Sequence, residues 1–325
     1  MSQKITLSYD PGFGTTSLAA SVREVSSLET AAARLTGDLG RAAIGMKTKT
    51  KTPIVEIGSD RFYVGRGAWD WGAANLISMD YTSLTNPARL SLLYANFAAL
   101  FAPGDYAVST FAVGLPVPLL QDATQTADVL RQLKEFKEQA HAFKIGREAY
   151  CFRTHRMVYY PQPAGSYSNW LIGEDLKVMN GRGQKEIVIV DIGRNTLDVY
   201  VLDAGQVNPR FVGGDKFGTR FLLEQIAADY PGRDLAEIDS IMRHGKITIP
   251  ASIRRDWFSM IMGKLEAVLG NFRRFQIMRI TGGGSLLLRQ DFQTAIMARG
   301  LTPDFPANPV EDVVVGGWKW AARLK

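Results

Sequence analysis

The sequence carries the same short pattern twice, about half a chain apart. Tyr9-Asp10-x-Gly12-x-x-Thr15 and Val190-Asp191-x-Gly193-x-x-Thr196 share an aspartate, a glycine and a threonine at equal spacing. Each aspartate ends an apolar segment, and each glycine lies in a turn that leads into another such segment, which is typical of a β-hairpin. Two copies of one strand–turn–strand unit predict two similar halves that face each other.

Elsewhere, the hydrophobic periodicity predicts strands that alternate with helices, and therefore an α/β protein whose sheets are covered on their faces. The predicted strands are residues 5–9, 17–25, 54–57, 61–64, 106–115, 153–160, 186–190, 197–202 and 277–280. The predicted helical segments are residues 88–101, 217–230, 253–275 and 286–299, and residues 126–143 form a charged amphipathic segment.

Length and composition exclude several classes of protein. The 325 residues allow two domains and a large core without disulfides. The single Cys151 indicates a reducing, cytoplasmic environment, and the three histidines lack the spacing of zinc or iron ligands. We expect no membrane-spanning helix, because no apolar run is long enough. The net charge of +6 permits a polyanionic partner but does not require one.

The paired turns have the chemistry of a phosphate-binding site. A glycine turn lets backbone N–H groups approach phosphate oxygens with no Cβ in the way. Asp10 and Asp191 would repel phosphate, so we expect them to hold Mg²⁺ or its water ligands. A third cluster, Gly282-Gly283-Gly284-Ser285, follows a strand and opens a helix, which also suits a nucleotide. The alternative is that these residues only form hairpin turns.

The order of the three glycine turns resembles the actin, Hsp70 and sugar-kinase superfamily of ATPases. Within it, the chain most resembles the bacterial and archaeal actin-like proteins of the ParM type. The resemblance spans essentially the whole chain. Its motifs are residues 159–165, residues 187–199, Gly213-Gly214-Asp215-x-x-Gly218 and residues 279–284.

This resemblance implies an actin-like (ribonuclease H-like) α/β fold, with two domains around an ATP cleft. Domain I would comprise residues 1–175 and be completed by residues 305–325, and domain II would comprise residues 176–304. The resemblance further implies ATP, with GTP as an alternative, and Mg²⁺ as ligands. It also implies that the chain assembles head to tail into filaments.

The resemblance assigns roles by position in the motifs. Asp10 and Asp191 would contact the metal through water, and Gln162 would orient the attacking water. We expect Gln162 in a stiff, extended segment between Pro161 and Pro163. The implied nucleotide-binding residues are Gly12, Phe13, Gly14, Thr15, Gly193, Arg194, Asn195, Thr196, Gly214, Asp215, Gly218, Gly282, Gly283, Gly284 and Ser285.

Several alternatives stay open. Many relatives carry a lysine shortly after the first turn, where this chain has Thr16-Ser17-Leu18, so another cation, or hydroxyls and backbone, must serve the phosphate. Arg194 is either a γ-phosphate contact or a solvent-facing turn residue. Asp198 is either a phosphate-turn carboxylate or a strand-edge charge. The basic segment of residues 47–52 is a subunit contact, a solvated loop or a nucleic-acid contact.

The function implied by the resemblance is that of a filament-forming ATPase that moves plasmid or other DNA through an adaptor protein. We expect no direct binding to DNA or to membranes. A small-molecule kinase of the same superfamily is an alternative, although no carboxylate base for an acceptor hydroxyl is evident. A cell-shape scaffold is a further alternative, but such a role usually needs a membrane-inserting segment, and the chain starts with a strand.

Overall fold

The computed structural model describes residues 4–35, 53–71 and 84–324. The basic segment of residues 47–52 lies outside these ranges, so its three interpretations stay predictions. The described strands form two sheets, one of nine strands and one of six. None of the described helices is both long and apolar enough to cross a membrane.

The first sheet is built from residues that precede α4, the helix that starts at Gln162. Its strands are β1 (Lys4–Asp10), β2 (Thr15–Ala19), β3 (Val25–Glu29), β4 (Ala32–Arg34), β5 (Ile54–Ile57), β6 (Asp60–Val64), β7 (Gly104–Leu115), β8 (Ala140–Ile145) and β9 (Glu148–Pro161). Their order across the sheet is β3-β2-β1-β7-β9-β8-β5-β6-β4. β1, β7 and β9 are parallel, and the other neighbours are antiparallel.

The second sheet has β10 at its centre, and every residue of β10 is buried. Its strands are β10 (Ile187–Ile192), β11 (Leu197–Asp203), β12 (Gln206–Val207), β13 (Gly213–Asp215), β14 (Ile277–Thr281) and β15 (Thr302–Asp304). Their order is β12-β11-β10-β14-β15, and β13 also pairs with β11. In both sheets, the first strand of the turn motif pairs with its hairpin partner on one side and with a parallel strand on the other. The predicted internal duplication is therefore present in the topology.

The described helices lie between and after these strands. They are α1 (Pro87–Leu100), α2 (Val117–Gln121), α3 (Ala123–Glu138), α4 (Gln162–Leu171), α5 (Arg220–Ile226), α6 (Leu235–Arg243), α7 (Ala251–Leu269), α8 (Ser285–Ala298) and α9 (Asp312–Ala322). Two predicted extents were wrong. The strand predicted for residues 17–25 is divided between β2 and β3, and the helix predicted for 253–275 ends at Leu269. The charged amphipathic segment 126–143 is divided between α3, which ends at Glu138, and β8.

Helices α4 and α9 cross each other at glycines. A Cβ on Gly316 of α9 would overlap Gly165 O of α4 and lie 2.6 Å from Asn169 N. Trp170 of α4 packs with Ile189 of the second sheet, whereas α9 packs on β1 and β7 of the first. This pair of helices therefore joins the two sheets. The domain boundaries at residues 175 and 304 stay predictions.

A buried charge network anchors the same junction. Arg279 of β14, only 5% exposed, donates to Ser166 Oγ at 3.0 Å and to Asp312 Oδ1 at 2.6 Å. It also forms an ion pair with Asp304, and Asn169 Nδ2 donates to Asp312 Oδ1 at 2.7 Å. Because a buried guanidinium needs carboxylate partners, this network ties α4 and α9 to the second sheet.

Candidate nucleotide-binding site

A cleft of about 470 Å³ lies where the two glycine turns meet. Residues from both sheets and from the loop before α8 line it. The predicted site residues that line it are Asp10, Gly12, Phe13, Gly14, Thr15, Gln162, Asp191, Gly193, Arg194, Asn195, Thr196, Gly282, Gly283 and Gly284.

The first turn, between β1 and β2, is held from behind by side chains. Arg89 Nη1 donates to Pro11 O at 3.2 Å, and Thr30 Oγ1 donates to Gly12 O at 2.7 Å. Thr30 N donates to Gly14 O at 3.1 Å. In a planar trans peptide the carbonyl and the following N–H point in opposite directions. The N–H groups that follow Pro11 and Gly12 therefore point away from Arg89 and Thr30.

The second turn, between β10 and β11, is held by backbone. Gly193 N donates to Thr196 O at 2.9 Å and closes the turn. Gly193 O accepts from Thr219 N at 3.0 Å, and Ile192 O accepts from Gly284 N at 2.9 Å. The start of α5 and the triple-glycine loop therefore fix the turn in place.

The glycines around the second turn serve close backbone packing. Gly282 has φ +80°, and a Cβ there would overlap Asp191 Oδ1. A Cβ on Gly284 would lie 2.5 Å from Ile192 Cγ2, and one on Gly218 would overlap the carbonyl oxygen of Arg194. A Cβ on Gly283, in contrast, would meet nothing within 4 Å. Packing alone therefore explains Gly218, Gly282 and Gly284, whereas Gly283 faces open space in the cleft.

Four of the predicted nucleotide-binding residues are not among those that line the cleft. Gly214 and Asp215 belong to β13, and Asp215 Oδ2 forms an ion pair with Lys264 Nζ at 2.9 Å, which lowers the pKa of Asp215. Gly218 packs under the second turn, as described above. Ser285 Oγ donates to Gly282 O at 2.7 Å and so stabilises the loop. These four residues therefore do not line the cleft.

Gln162 does reach the cleft, but the expected extended segment was wrong. It is the first residue of α4, with Pro161 as the capping residue and Pro163 in the first turn, a position that suits proline. Gln162 is 7% exposed, and its Nε2 donates to Asp10 Oδ1 at 2.6 Å. The helix start therefore holds the amide against the carboxylate of the first turn.

Three carboxyl groups lie near the two turns, Asp10 half-buried and Asp191 and Asp198 buried, and removal from water is the main cause of their raised pKa values. The pKa of Asp10 rises to about 6 and that of Asp198 to about 7. The pKa of Asp191 rises well above its usual value, through burial and then through Asp198 and Asp10. Asp198 is 1% exposed, so the interpretation as an exposed strand-edge charge was wrong.

These carboxylates fit a hydrated divalent cation. Asp10 and Asp191 come from opposite turns, line one cleft and raise each other's cost of ionisation, which a cation between them would relieve. Mg²⁺ prefers one or two carboxylates, phosphate oxygens and several waters. Within the described ranges no group of three or more His, Cys, Asp or Glu side chains is placed to hold a metal ion.

Sequence reasoning missed the contribution of α6. Asp239, Met242 and Arg243 of this helix line the cleft. Arg194 of the second turn pairs with Asp239 at 3.5 Å, and its side chain is 6% exposed. The interpretation of Arg194 as a solvent-facing residue was therefore wrong. A signal for α6 was present, because Asp234 and Glu237 have the spacing of a capping box.

Comparison with known proteins agrees with this architecture. Residues 8–165 match the family model of the actin-like protein N-terminal domain. No curated protein sequence matches the chain. Solved structures with similar folds include the archaeal actin homologue Ta0583 in complex with ADP, with 17% identity and a TM-score of 0.72 over 98% of this chain and 100% of that chain. A 15-stranded ParM filament from Clostridium botulinum has 14% identity and a TM-score of 0.72 over 99% of this chain and 100% of that chain. Apo pSK41 ParM has 14% identity and a TM-score of 0.71 over 99% of this chain and 98% of that chain.

The two sheets, the paired turns and the cleft between them define an actin-like fold. Residues 8–165 match the model of the actin-like N-terminal domain, and the similar structures are ParM proteins and other bacterial and archaeal actin homologues. The predicted fold class and the resemblance to the ParM type are confirmed.

Proposed function

We propose that this protein binds ATP with Mg²⁺ in the cleft, hydrolyses the nucleotide and polymerises into filaments whose turnover hydrolysis drives. The observation that carries this proposal is the meeting of two glycine turns, each with an aspartate that lines the cleft, at one cleft of about 470 Å³. One similar structure is an ADP complex and another is a filament, which supports nucleotide binding and self-association.

Binding would use backbone and carboxylates from both turns. The N–H groups of the glycine turns would donate to phosphate oxygens, since helix starts and turns of this kind form anion-binding concavities. Asp10 and Asp191 would hold Mg²⁺ through its water ligands. When bound, Mg²⁺ would neutralise charge on the phosphates during phosphoryl transfer.

Hydrolysis would depend on Gln162. Its amide is fixed by the start of α4 and by the hydrogen bond to Asp10. A carboxamide oxygen can accept a hydrogen bond from water and hold that water in line with the γ-phosphate without acting as a base. Positioning of this kind supplies most of the catalysis in nucleotide hydrolysis.

The biological role would be segregation of plasmid or other DNA in the cytoplasm, with an adaptor protein that binds the DNA. The ParM identity of several similar structures supports this choice over a kinase or a cell-shape scaffold. GTP is the alternative nucleotide, and its binding would be measured in the same way as that of ATP.

Calorimetry with ATP and Mg²⁺ tests the binding site. We expect Asp191→Asn and Gly193→Val each to weaken binding about tenfold or more, because one removes a carboxylate that would hold the hydrated metal and the other adds a side chain between backbone and phosphate. Gly263→Val is the matched control, since Gly263 lies in α7 and a Cβ there meets nothing within 4 Å. If both cleft variants bind as tightly as the parent, the proposed phosphate clamp is wrong.

Right-angle light scattering tests assembly. We expect a rise after ATP and Mg²⁺ are added, none with EDTA, and a slow decay as ATP is consumed. Phosphate release in the same samples measures hydrolysis. Consumption of ATP that requires a small hydroxyl-bearing acceptor, transfers phosphate to that acceptor and occurs without assembly would instead support a kinase.

A further inference from the structure

Arg243 reaches across the cleft from α6 to the first turn. Its Nη1 donates to Thr15 Oγ1 at 2.7 Å. A Cβ on Gly14 would overlap Arg243 Nη2. The guanidinium therefore lies directly against the glycine turn that begins the phosphate-binding part of the cleft, although it belongs to a helix more than 200 residues later in the chain.

A second arginine lies beside it, and the two share one carboxylate. Arg243 Nε and Nη2 contact the two oxygens of Asp239 at 2.9 and 3.1 Å, and Arg194 Nε lies 3.5 Å from Asp239 Oδ2. Arg194 Nη1 donates to Phe13 O at 3.1 Å. The neighbouring Glu29 accepts from Ser240 Oγ at 2.7 Å rather than from either arginine. Two guanidinium groups therefore share the Asp239 carboxylate beside the first turn.

The two arginines differ in freedom. The side chain of Arg194 is 6% exposed, whereas that of Arg243 is 30% exposed. Arg243 can therefore turn from Asp239 to an anion in the cleft more easily than Arg194 can. A guanidinium matches the geometry of phosphate and can donate two parallel hydrogen bonds to it. The first turn itself offers no cation in sequence, because Thr16, Ser17 and Leu18 follow it and are buried.

We propose that Arg243 binds the terminal phosphate of a nucleoside triphosphate and makes the cleft prefer the triphosphate to the diphosphate. This inference rests on the proposed nucleotide binding and names the residue that selects the nucleotide state. Asp239 is a positioning residue that holds Arg243 over the turn until the phosphate replaces Asp239 as the partner of Arg243. The contacts of α6 with the cleft therefore differ between the triphosphate and the diphosphate state.

Calorimetry with ATP and with ADP, each with Mg²⁺, tests the inference on the full chain. We expect Arg243→Gln to weaken ATP binding about tenfold or more, the range for loss of a hydrogen bond from a charged group. ADP binding should change less than about threefold, so the ratio of the two affinities falls. Arg243→Lys keeps the positive charge but loses the two parallel N–H donors of the guanidinium, so we expect it to lower the same ratio by a smaller factor.

Arg233→Gln is the matched control, because Arg233 precedes the same helix and pairs with Glu237 away from the cleft. It should leave both affinities at the parent values. Equal losses of ATP and ADP affinity in Arg243→Gln, unchanged affinities or tighter ATP binding would each overturn the inference, the last by identifying Arg243 as a latch that obstructs the cleft. A parent protein that binds neither nucleotide would overturn the proposed function as well. Thermal unfolding of each variant checks folding, and Arg243→Lys decides the outcome if Arg243→Gln does not fold.

Discussion

The first and second turns share one sequence signature but are supported in different ways. Behind the first turn, the buried Arg89 donates to a turn carbonyl and lies 4.8 Å from the centre of the Phe13 ring. The second turn is instead supported by the closely packed backbone of Gly218, Gly282 and Gly284, where no Cβ would fit. The signature therefore specifies the turn, whereas segments far away in sequence specify what holds the turn. The following predictions test this difference.

The largest effect should come from the glycine support of the second turn. Gly282 has φ +80° and no space for a Cβ, so we expect Gly282→Ala to lower the free energy of unfolding by about 3 kcal/mol. Gly283→Ala, one residue further, should change it by less than about 0.5 kcal/mol, because the added methyl meets open space. Urea denaturation measures both. Similar losses in the two variants would contradict the assigned packing role.

The next effect concerns Gln162, which contacts the aspartate of the first turn and not that of the second. We expect Gln162→Ala to reduce phosphate release about 10²-fold, equivalent to about 2.7 kcal/mol, while nucleotide affinity and assembly persist. Its filaments should outlast those of the parent after ATP is removed. Phosphate release per assembled subunit and sedimentation over time measure both effects.

Gln125→Ala provides the control for that variant. The Gln125 amide also donates to an aspartate, Asp122 Oδ2 at 2.8 Å, but at an exposed helix start far from the cleft. Parental rates of phosphate release are expected for it. Parental rates from Gln162→Ala as well would remove Gln162 from the mechanism.

A smaller effect should come from the side-chain support of the first turn. We expect Arg89→Met to lower the free energy of unfolding by about 2 kcal/mol, because a buried charged donor to Pro11 O is lost. Arg220 lies beside the second turn, but its side chain is 43% exposed and pairs with Glu224, which is itself 46% exposed. Arg220→Met should therefore cost less than about 1 kcal/mol. If chemical denaturation gives equal losses, the two turns do not differ in the way described.

The smallest effect is a pH dependence. Asp10 has a folded-state pKa of about 6, above the value of 3.8 for a free side chain, so the folded protein holds this proton more tightly than the unfolded chain. The resulting stabilisation is complete below about pH 4 and is lost as the pH rises through 6. Because the amide of Asp10→Asn does not ionise, this variant does not lose stability as the pH rises. Its Tm should therefore exceed that of the parent by a few degrees at pH 8 but not at pH 4.

Differential scanning fluorimetry from pH 4 to pH 8 measures this difference. Asp122→Asn is the control, because hydrogen bonds from Gln125 and Thr124 lower rather than raise the pKa of the exposed Asp122. Its offset from the parent should not grow between pH 5 and pH 8. If the Tm difference between Asp10→Asn and the parent is the same at every pH, the Asp10 carboxyl of the folded parent is ionised over the whole range from pH 4 to pH 8.

The strands around both turns could be predicted from the sequence because a hairpin is encoded locally, by alternating apolar residues and a glycine turn. Helix α9 could not, because Gly316 and Gly317 lower the intrinsic helix propensity. Gly316 is needed only where α9 meets α4, and Gly317 only where α9 meets Tyr160 and Ser8 of the first sheet. Arg243 was equally out of reach, since its partner Thr15 lies 228 positions away in sequence. Local patterns thus predicted the turns, and long-range contacts completed the cleft.

The crossing of α4 and α9 also determines when the first sheet can be finished during synthesis. Trp318 of α9 donates to Thr6 O of β1, a hydrogen bond between residues 312 positions apart. A ribosome releases β1 among the first segments and α9 only after every strand of the second sheet. The first sheet therefore stays without one covering helix while the second is made, and closing this long loop is an expected slow step in folding.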